Sequence, residues 1–246
     1  MSSGYEIECC IESVESAIAS EAGGAVRVEL CSGLFDGGLT PSAGAIAVTR
    51  KSISIQLSVM IRPRGCDFCY SEPEFESMLR DIDIAKDLGA DCMVFGVLTP
   101  EGAVDKERVA ALIERSRPCP VTFHRAFDVT RDPWEALEDL IELGVDRILT
   151  SGQEDSVLEG APLLSELVTK AADHISIMPG CGIHERNFER IHETVNAREY
   201  HIAVNHWVES EMQHRNDAVF MGGILRPPEY AWQQTSADRV RRLAKG

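Results

Sequence analysis

Eight times along this chain a short β-rich run gives way to an amphipathic helical stretch, and that alternation narrows the fold more than any other feature. The β-rich runs lie at 5–9, 26–30, 56–61, 92–95, 120–124, 147–150, 176–178 and 199–203. Helical patterns occupy 13–22, 42–51, 71–88, 105–117, 132–143, 159–172, 187–194 and 236–245. The third is the clearest: Phe75, Met78, Leu79, Ile82 and Ala85 recur three and four residues apart, and Gly89 stops it. Strand, helix, strand in succession signals parallel strands joined by crossover helices. Eight such units predict one α/β domain, a (β/α)8 TIM-type barrel of parallel strands over residues 1–246. An open doubly wound sheet is disfavoured, because no Gly-x-Gly-x-x-Gly follows the first strand. The segment 204–234 before the last helix has no clear period and stays unassigned.

At 246 residues the chain is long enough to bury such a core as one domain. Its formal net charge of −16 argues against nucleic acid or an anionic membrane surface as a partner. Met1-Ser2-Ser3-Gly4 shows no basic or apolar leader, and no apolar run nears the roughly 18 residues of a spanning helix. These features predict a cytoplasmic protein, with a nuclear location also open to it. In that reducing compartment the eight cysteines are read as free thiols, metal ligands or redox groups, not as a disulfide framework. Cys92 and Cys119 read as small core residues, and Cys66-Asp67-Phe68-Cys69 is a lone Cys-x-x-Cys with no second pair to complete a zinc site. His184, His192, His206 and His214 read as solvated or loop histidines.

In a barrel of this type the C-terminal strand ends line one mouth, so the chemistry is sought there. Glu8 and Cys10 lie two residues apart at the end of the first strand, and Glu29 and Cys31 repeat that offset at the end of the second. Side chains two apart on a strand share a face, and successive strands of a βαβ unit are usually neighbours. Two thiols at one rim suit a linear Cu(I) ion better than tetrahedral zinc; the alternative is a pair of buried core thiols. Arg62, Arg64, His124 and Arg125 fall at other strand ends, a basic mouth on an acidic body, which would draw in a small anion. Ser151, Gly152, Gly180 and Gly182 could present loop donors to the same anion. These groups allow a second function, a metal-independent isomerase or lyase acting on a small anionic or phosphorylated metabolite. Glu8 or Glu29 would then be the base, His124 the acid, and Arg62 and Arg125 the clamps, with His201 at the eighth strand end.

Long blocks of the chain resemble the CutC copper-homeostasis family. They include Glu29-Leu30-Cys31-Ser32-Gly33-Leu34, Gly37-Gly38-Leu39-Thr40-Pro41-Ser42, Met60-Ile61-Arg62-Pro63-Arg64-Gly65, Thr122-Phe123-His124-Arg125-Ala126-Phe127-Asp128 and Leu149-Thr150-Ser151-Gly152. The resemblance spans about residues 5–245. It implies a (β/α)8 barrel, a cytosolic or nucleocytoplasmic location, homo-oligomers (a dimer or tetramer), and Cu(I) binding, with Cys10 and Cys31 as the thiols. Three departures stand near the mouth: Cys66 and Cys181 replace glycines, and His201-Ile202-Ala203 lacks the usual serine hydroxyl after the eighth strand.

Overall fold

Eight short strands, each followed by a helix, form the frame of the computed structural model, which describes residues 4–221 and 230–244. The strands are β1 (Glu6–Ile11), β2 (Arg27–Leu30), β3 (Gln56–Met60), β4 (Cys92–Phe95), β5 (Val121–Phe123), β6 (Arg147–Thr150), β7 (Ser176–Pro179) and β8 (Glu199–Ile202). The helices are α1 (Val14–Gly23), α2 (Ala43–Ser52), α3 (Glu72–Asp87), α4 (Lys106–Ser116), α5 (Pro133–Glu142), α6 (Val157–Ala171), α7 (Phe188–Val195) and α8 (Ala237–Ala244). Expected and observed bounds agree to within two residues throughout. The starts are legible because serine and aspartate caps fix them: Ser13, Ser42, Ser71, Asp105, Asp132 and Ser156 each accept a first-turn amide. At Ser71 the Glu74 side chain returns the bond, completing a capping box.

The strands pair in parallel in the order β7-β6-β5-β4-β3-β2-β1-β8. In register, Glu8 of β1 stands opposite Arg27 and Cys10 opposite Glu29 on β2, while Glu8 faces His201 on β8. Only a single bridge, Gly180 to His201, joins β7 to β8 and nearly closes the ring. Gly180 is needed at that seam, since a Cβ there would lie 2.5 Å from Leu149 Cδ1 and 3.0 Å from His201 Cβ. One face of each strand turns apolar groups such as Ile7, Val28, Leu57, Val59 and Tyr200 toward the helices, where they form one continuous core. No helix among the described residues is long and apolar enough to cross a membrane.

The unassigned segment contains a hairpin. Strand β9 (Asn205–Glu209) pairs antiparallel with β10 (Ala231–Thr235); the part of the segment at 222–229 lies outside the described residues. Strands of this kind lack the apolar alternation that a buried strand shows, because most of their side chains are partly or fully exposed. The hairpin is tied to the barrel where Thr235 N–H donates to Ser16 Oγ at 3.0 Å. Arg239 of α8 completes the tie, donating to the Asn205 carbonyl at 2.6 Å and to Glu185 at 2.7 and 2.9 Å.

Two glycines in helices make opposite predictions. A Cβ at Gly160 of α6 would sit 1.8 Å from the Ser151 carbonyl oxygen, whereas one at Gly44 of α2 would meet only Ser42 Oγ at 3.8 Å. Gly160→Ala therefore destabilises by about 3 kcal/mol or more through overpacking. Gly44→Ala stabilises by about 0.5–1 kcal/mol through helix propensity. Chemical denaturation of both variants checks the pair, and an equal effect at the two positions would refute the packing.

Candidate functional site

The period of two along β1, β2 and β8 sends Glu8, Arg27 and Glu199 into the barrel interior. Arg27, almost fully buried, binds the Glu8 carboxylate through Nε and the Glu199 carboxylate through a terminal nitrogen. Arg147 adds a 2.7 Å bond to Glu199 Oε2, Ser58 donates to Glu8 at 3.2 Å and Ser176 to Glu199 at 2.6 Å. Burial alone would raise the Glu8 pKa, but the Arg27 guanidinium and the His201 imidazole outweigh it and hold the carboxyl ionised. Above this floor His201 Nδ1 lies 2.7 Å from Glu8 Oε1, and its Nε2 lies 3.7 Å from Glu29 Oε2. Desolvation would strip the His201 proton, yet Glu29, Cys10 and Glu8 together push its pKa well above the ordinary histidine value.

At the rim, ligand atoms of Cys10, Glu29 and Cys31 all lie within 4.8 Å of one another. Cys31 follows directly on β2 and is held there by its amide, which donates to the Ile11 carbonyl at 2.9 Å. The loop then folds back over the thiol at Gly38, whose φ is +89° and whose Cβ, if present, would stand 3.1 Å from Cys31 Sγ. A side chain there would strain the backbone and crowd the thiol. Cys31 Sγ is 3.5 Å from Glu29 Oε2. The hydrogen bond from Cys31 lowers the Cys10 pKa to about 5, against the effect of burial and with help from His201. That same bond, with burial and the nearby Glu29, drives the Cys31 pKa well above the ordinary thiol value. Burial, reinforced by Cys10 and Glu8, raises Glu29 to about 8. The rim thus carries one thiolate, one thiol and a largely neutral carboxyl beside an imidazolium.

Cys10, Glu29 and His201 open into a cavity of about 570 Å³, which is also lined by Met60, Arg62, Phe68, His124 and Arg125. The basic groups of the strand ends divide there. Arg62 donates to the Asp36, Gly38 and Cys66 carbonyls at 2.8, 3.0 and 3.0 Å. Arg64 is absent from the cavity lining; Asp67 and Glu74 hold it at 2.9 and 2.7 Å. Arg125 reaches the cavity but is held by Asp128 at 2.7 Å and Ser151 Oγ at 2.8 Å. Ser151 and Gly152 turn inward to their own loop: Ser151 N–H donates to Asp128 at 3.0 Å and Gly152 N–H to Thr150 Oγ1 at 2.9 Å. Gly180 closes the β7–β8 seam, while Gly182 lines the cavity. Among the other thiols, Cys92 is buried, Cys119 is half-buried and Cys66 is exposed.

Several residues of the site carried no motif. Arg27 and Glu199 share strand parity with Glu29 and His201, a period-two signal that applies to both pairs. Phe68, His184 and Arg239 reach the cavity from loops and from α8, where sequence period is silent. His192 is not a solvated histidine: its Nδ1 is 2.8 Å from Tyr200 Oη, and its ring stacks on Phe188.

The model of the CutC family matches residues 5–206 of the chain. A human protein named copper homeostasis protein cutC homolog is 50% identical over 240 residues, covering 98% of this chain and 88% of its own length. The mouse protein of the same name is 49% identical over the same spans. A crystal structure of a CutC protein from Streptococcus agalactiae superposes with a TM-score of 0.77 at 33% identity, covering 80% of this chain and 97% of its own. Phosphoribosylanthranilate isomerase of Thermotoga maritima, at 12% identity and a TM-score of 0.57, shares the fold.

The buried ion network makes a stability prediction. Arg27→Met leaves Glu8 and Glu199 facing each other without their shared cation and costs about 3–5 kcal/mol in urea unfolding near pH 7. Both carboxyls are held below the ordinary value of 4.5, so their contribution is present above that pH and is lost as the pH falls below it. The gap between wild type and Arg27→Met narrows over that acid range. A gap constant with pH would show that charge pairing is not the cause.

Proposed function

The chain belongs to the CutC family, and from that premise we propose that it binds Cu(I) between the thiols of Cys10 and Cys31 and serves intracellular copper handling. The observation that carries this reading is the meeting of two sulfurs and one carboxyl within 4.8 Å at the barrel rim. Metal–thiolate bonds are about 2.3 Å long, so such a span suits two sulfurs flanking one ion. The donor set fits the ion chemically as well, because soft thiolates select Cu(I) while structural zinc asks for four ligands. Cys10 supplies a thiolate at neutral pH before any ion arrives, with the His201 imidazolium balancing its charge. Cys31 keeps its proton, shared with the Cys10 thiolate, until an ion displaces it. The same reading places the protein in a reducing cytoplasmic or nuclear compartment, where eight cysteines stay free, and as a homo-oligomer of two or four copies.

Anaerobic titration of reduced protein with Cu(I) against a chromogenic competitor tests the ligand pair. Wild type takes up one equivalent, and Cys10→Ser/Cys31→Ser loses more than about a hundredfold in affinity, beyond the cost of losing an outer-shell partner. X-ray absorption of the loaded protein shows two sulfur neighbours. Equal affinity for wild type and double variant would overturn the assignment.

A further inference from the structure

We propose that the barrel mouth also binds a small aliphatic monocarboxylate, its two oxygens held by Arg62 Nε–H and His124 Nε2–H and its hydrocarbon laid along the Phe68 side of the cavity. The site is distinct from the thiol pair and does not depend on copper.

Arg62 is the starting point. It is 6% exposed, and its terminal nitrogens are taken up by three neutral backbone carbonyls. No carboxylate pairs with it among the described residues; the Tyr70 hydroxyl lies beside the guanidinium, and Nε itself makes no hydrogen bond. Carbonyls solvate a guanidinium but do not neutralise it, and an unpaired buried charge is costly. The second donor is His124. Its Nδ1 accepts the Ala126 N–H at 3.1 Å, which places the proton of the neutral ring on Nε2, and Nε2 too is buried without a partner. Burial and the Arg62 charge hold this histidine down at about 3, so the ring is a neutral donor at pH 7. Its position is built in, since a Cβ at Gly96 would lie 2.6 Å from Nδ1 and Cε1. Both groups rest on one aromatic ring: Arg62 Cζ is 5.1 Å from the Phe68 centroid, and the His124 ring is 5.0 Å from it.

The charge balance names the ligand class. The other arginines lining the cavity are already compensated, Arg125 by Asp128 and Arg239 by Glu185. One uncompensated positive charge and two free N–H donors match a two-oxygen monoanion. A phosphate dianion brings twice the charge and two further oxygens with no donor to meet them. Leu34, Met60, Leu149 and Ile183 supply apolar wall for a short tail.

Titration of the full chain with sodium butyrate at constant ionic strength, followed by 1H–15N spectra of the arginine Nε–H groups, tests the site. One peak, assigned by its loss in Arg62→Lys, shifts saturably with half-saturation below about 10 mM. Inorganic phosphate binds at least about tenfold more weakly. His124→Asn keeps a side-chain acceptor for Ala126 N–H but withdraws the Nε2 donor, and it weakens butyrate about tenfold, the worth of one hydrogen bond. Its thermal midpoint and Cu(I) affinity serve as controls. The Cys10→Ser/Cys31→Ser protein binds butyrate as wild type does, so failure of the copper reading and failure of this one are separately visible. No saturable shift in the wild type, phosphate binding as tight as butyrate, or wild-type affinity in His124→Asn would each overturn the proposal.

Discussion

Everything above the barrel floor depends on Arg27. A guanidinium enclosed between Glu8 and Glu199 keeps both carboxyls ionised in a space that would otherwise protonate them. Ionised Glu8 in turn orients His201, which stands beside Cys10 and Glu29. The order runs from a backbone register, Glu8 opposite Arg27 and opposite His201, to an electrostatic stack, and from there to the state of a thiol at the rim. His201 and Ser176 take the second oxygens of Glu8 and Glu199, while Ser58 and Arg147 add bonds to the oxygens that Arg27 holds, so both carboxylates are fully bonded.

The fold was legible because three independent local signals agree. Serine and aspartate caps start six of the helices, glycines follow α1, α3 and α5, and apolar runs mark the strands; none of these needs tertiary information. The offset pairs Glu8/Cys10 and Glu29/Cys31 were legible for a similar reason, since a period of two fixes the face of each side chain once the strand is known. Loop conformation was not legible, and it decides which basic group keeps a free charge. Arg64 turns away because the capping-box acid Glu74 lies within its reach. Arg125 is held by Asp128 three residues on, a pairing that the spacing alone does contain. Arg62 stays unpaired because backbone carbonyls of two separate loops converge on it, and those loops take left-handed conformations at Gly37, Gly38 and Cys66 that residue identity only partly specifies. The hairpin of β9 and β10 escaped for the opposite reason: it buries little, so it leaves little pattern.

The mouth therefore has two chemically different ends. One is a sulfur-rich corner whose charges cancel among Cys10, Glu8 and Glu199 on one side and His201, Arg27 and Arg147 on the other. The other is a nitrogen-rich corner in which Arg62 and His124 lean on Phe68. A copper-binding reading accounts for the first end, and the second needs a separate explanation. The contrast is physical: soft donors without excess charge against hard donors with excess charge, within one cavity of about 570 Å³.

The Gly38 turn over Cys31 has a kinetic consequence. Cys10 is half-buried and borders the cavity, whereas Cys31 is 2% exposed beneath the loop. Any thiol-seeking species that enters by the mouth meets Cys10 first, where the sulfur is already ionised, and reaches Cys31 only by sliding inward from it. Arrival and departure through this entrance are therefore sequential, one sulfur at a time, and bulky alkylating reagents discriminate between two cysteines that stand almost side by side.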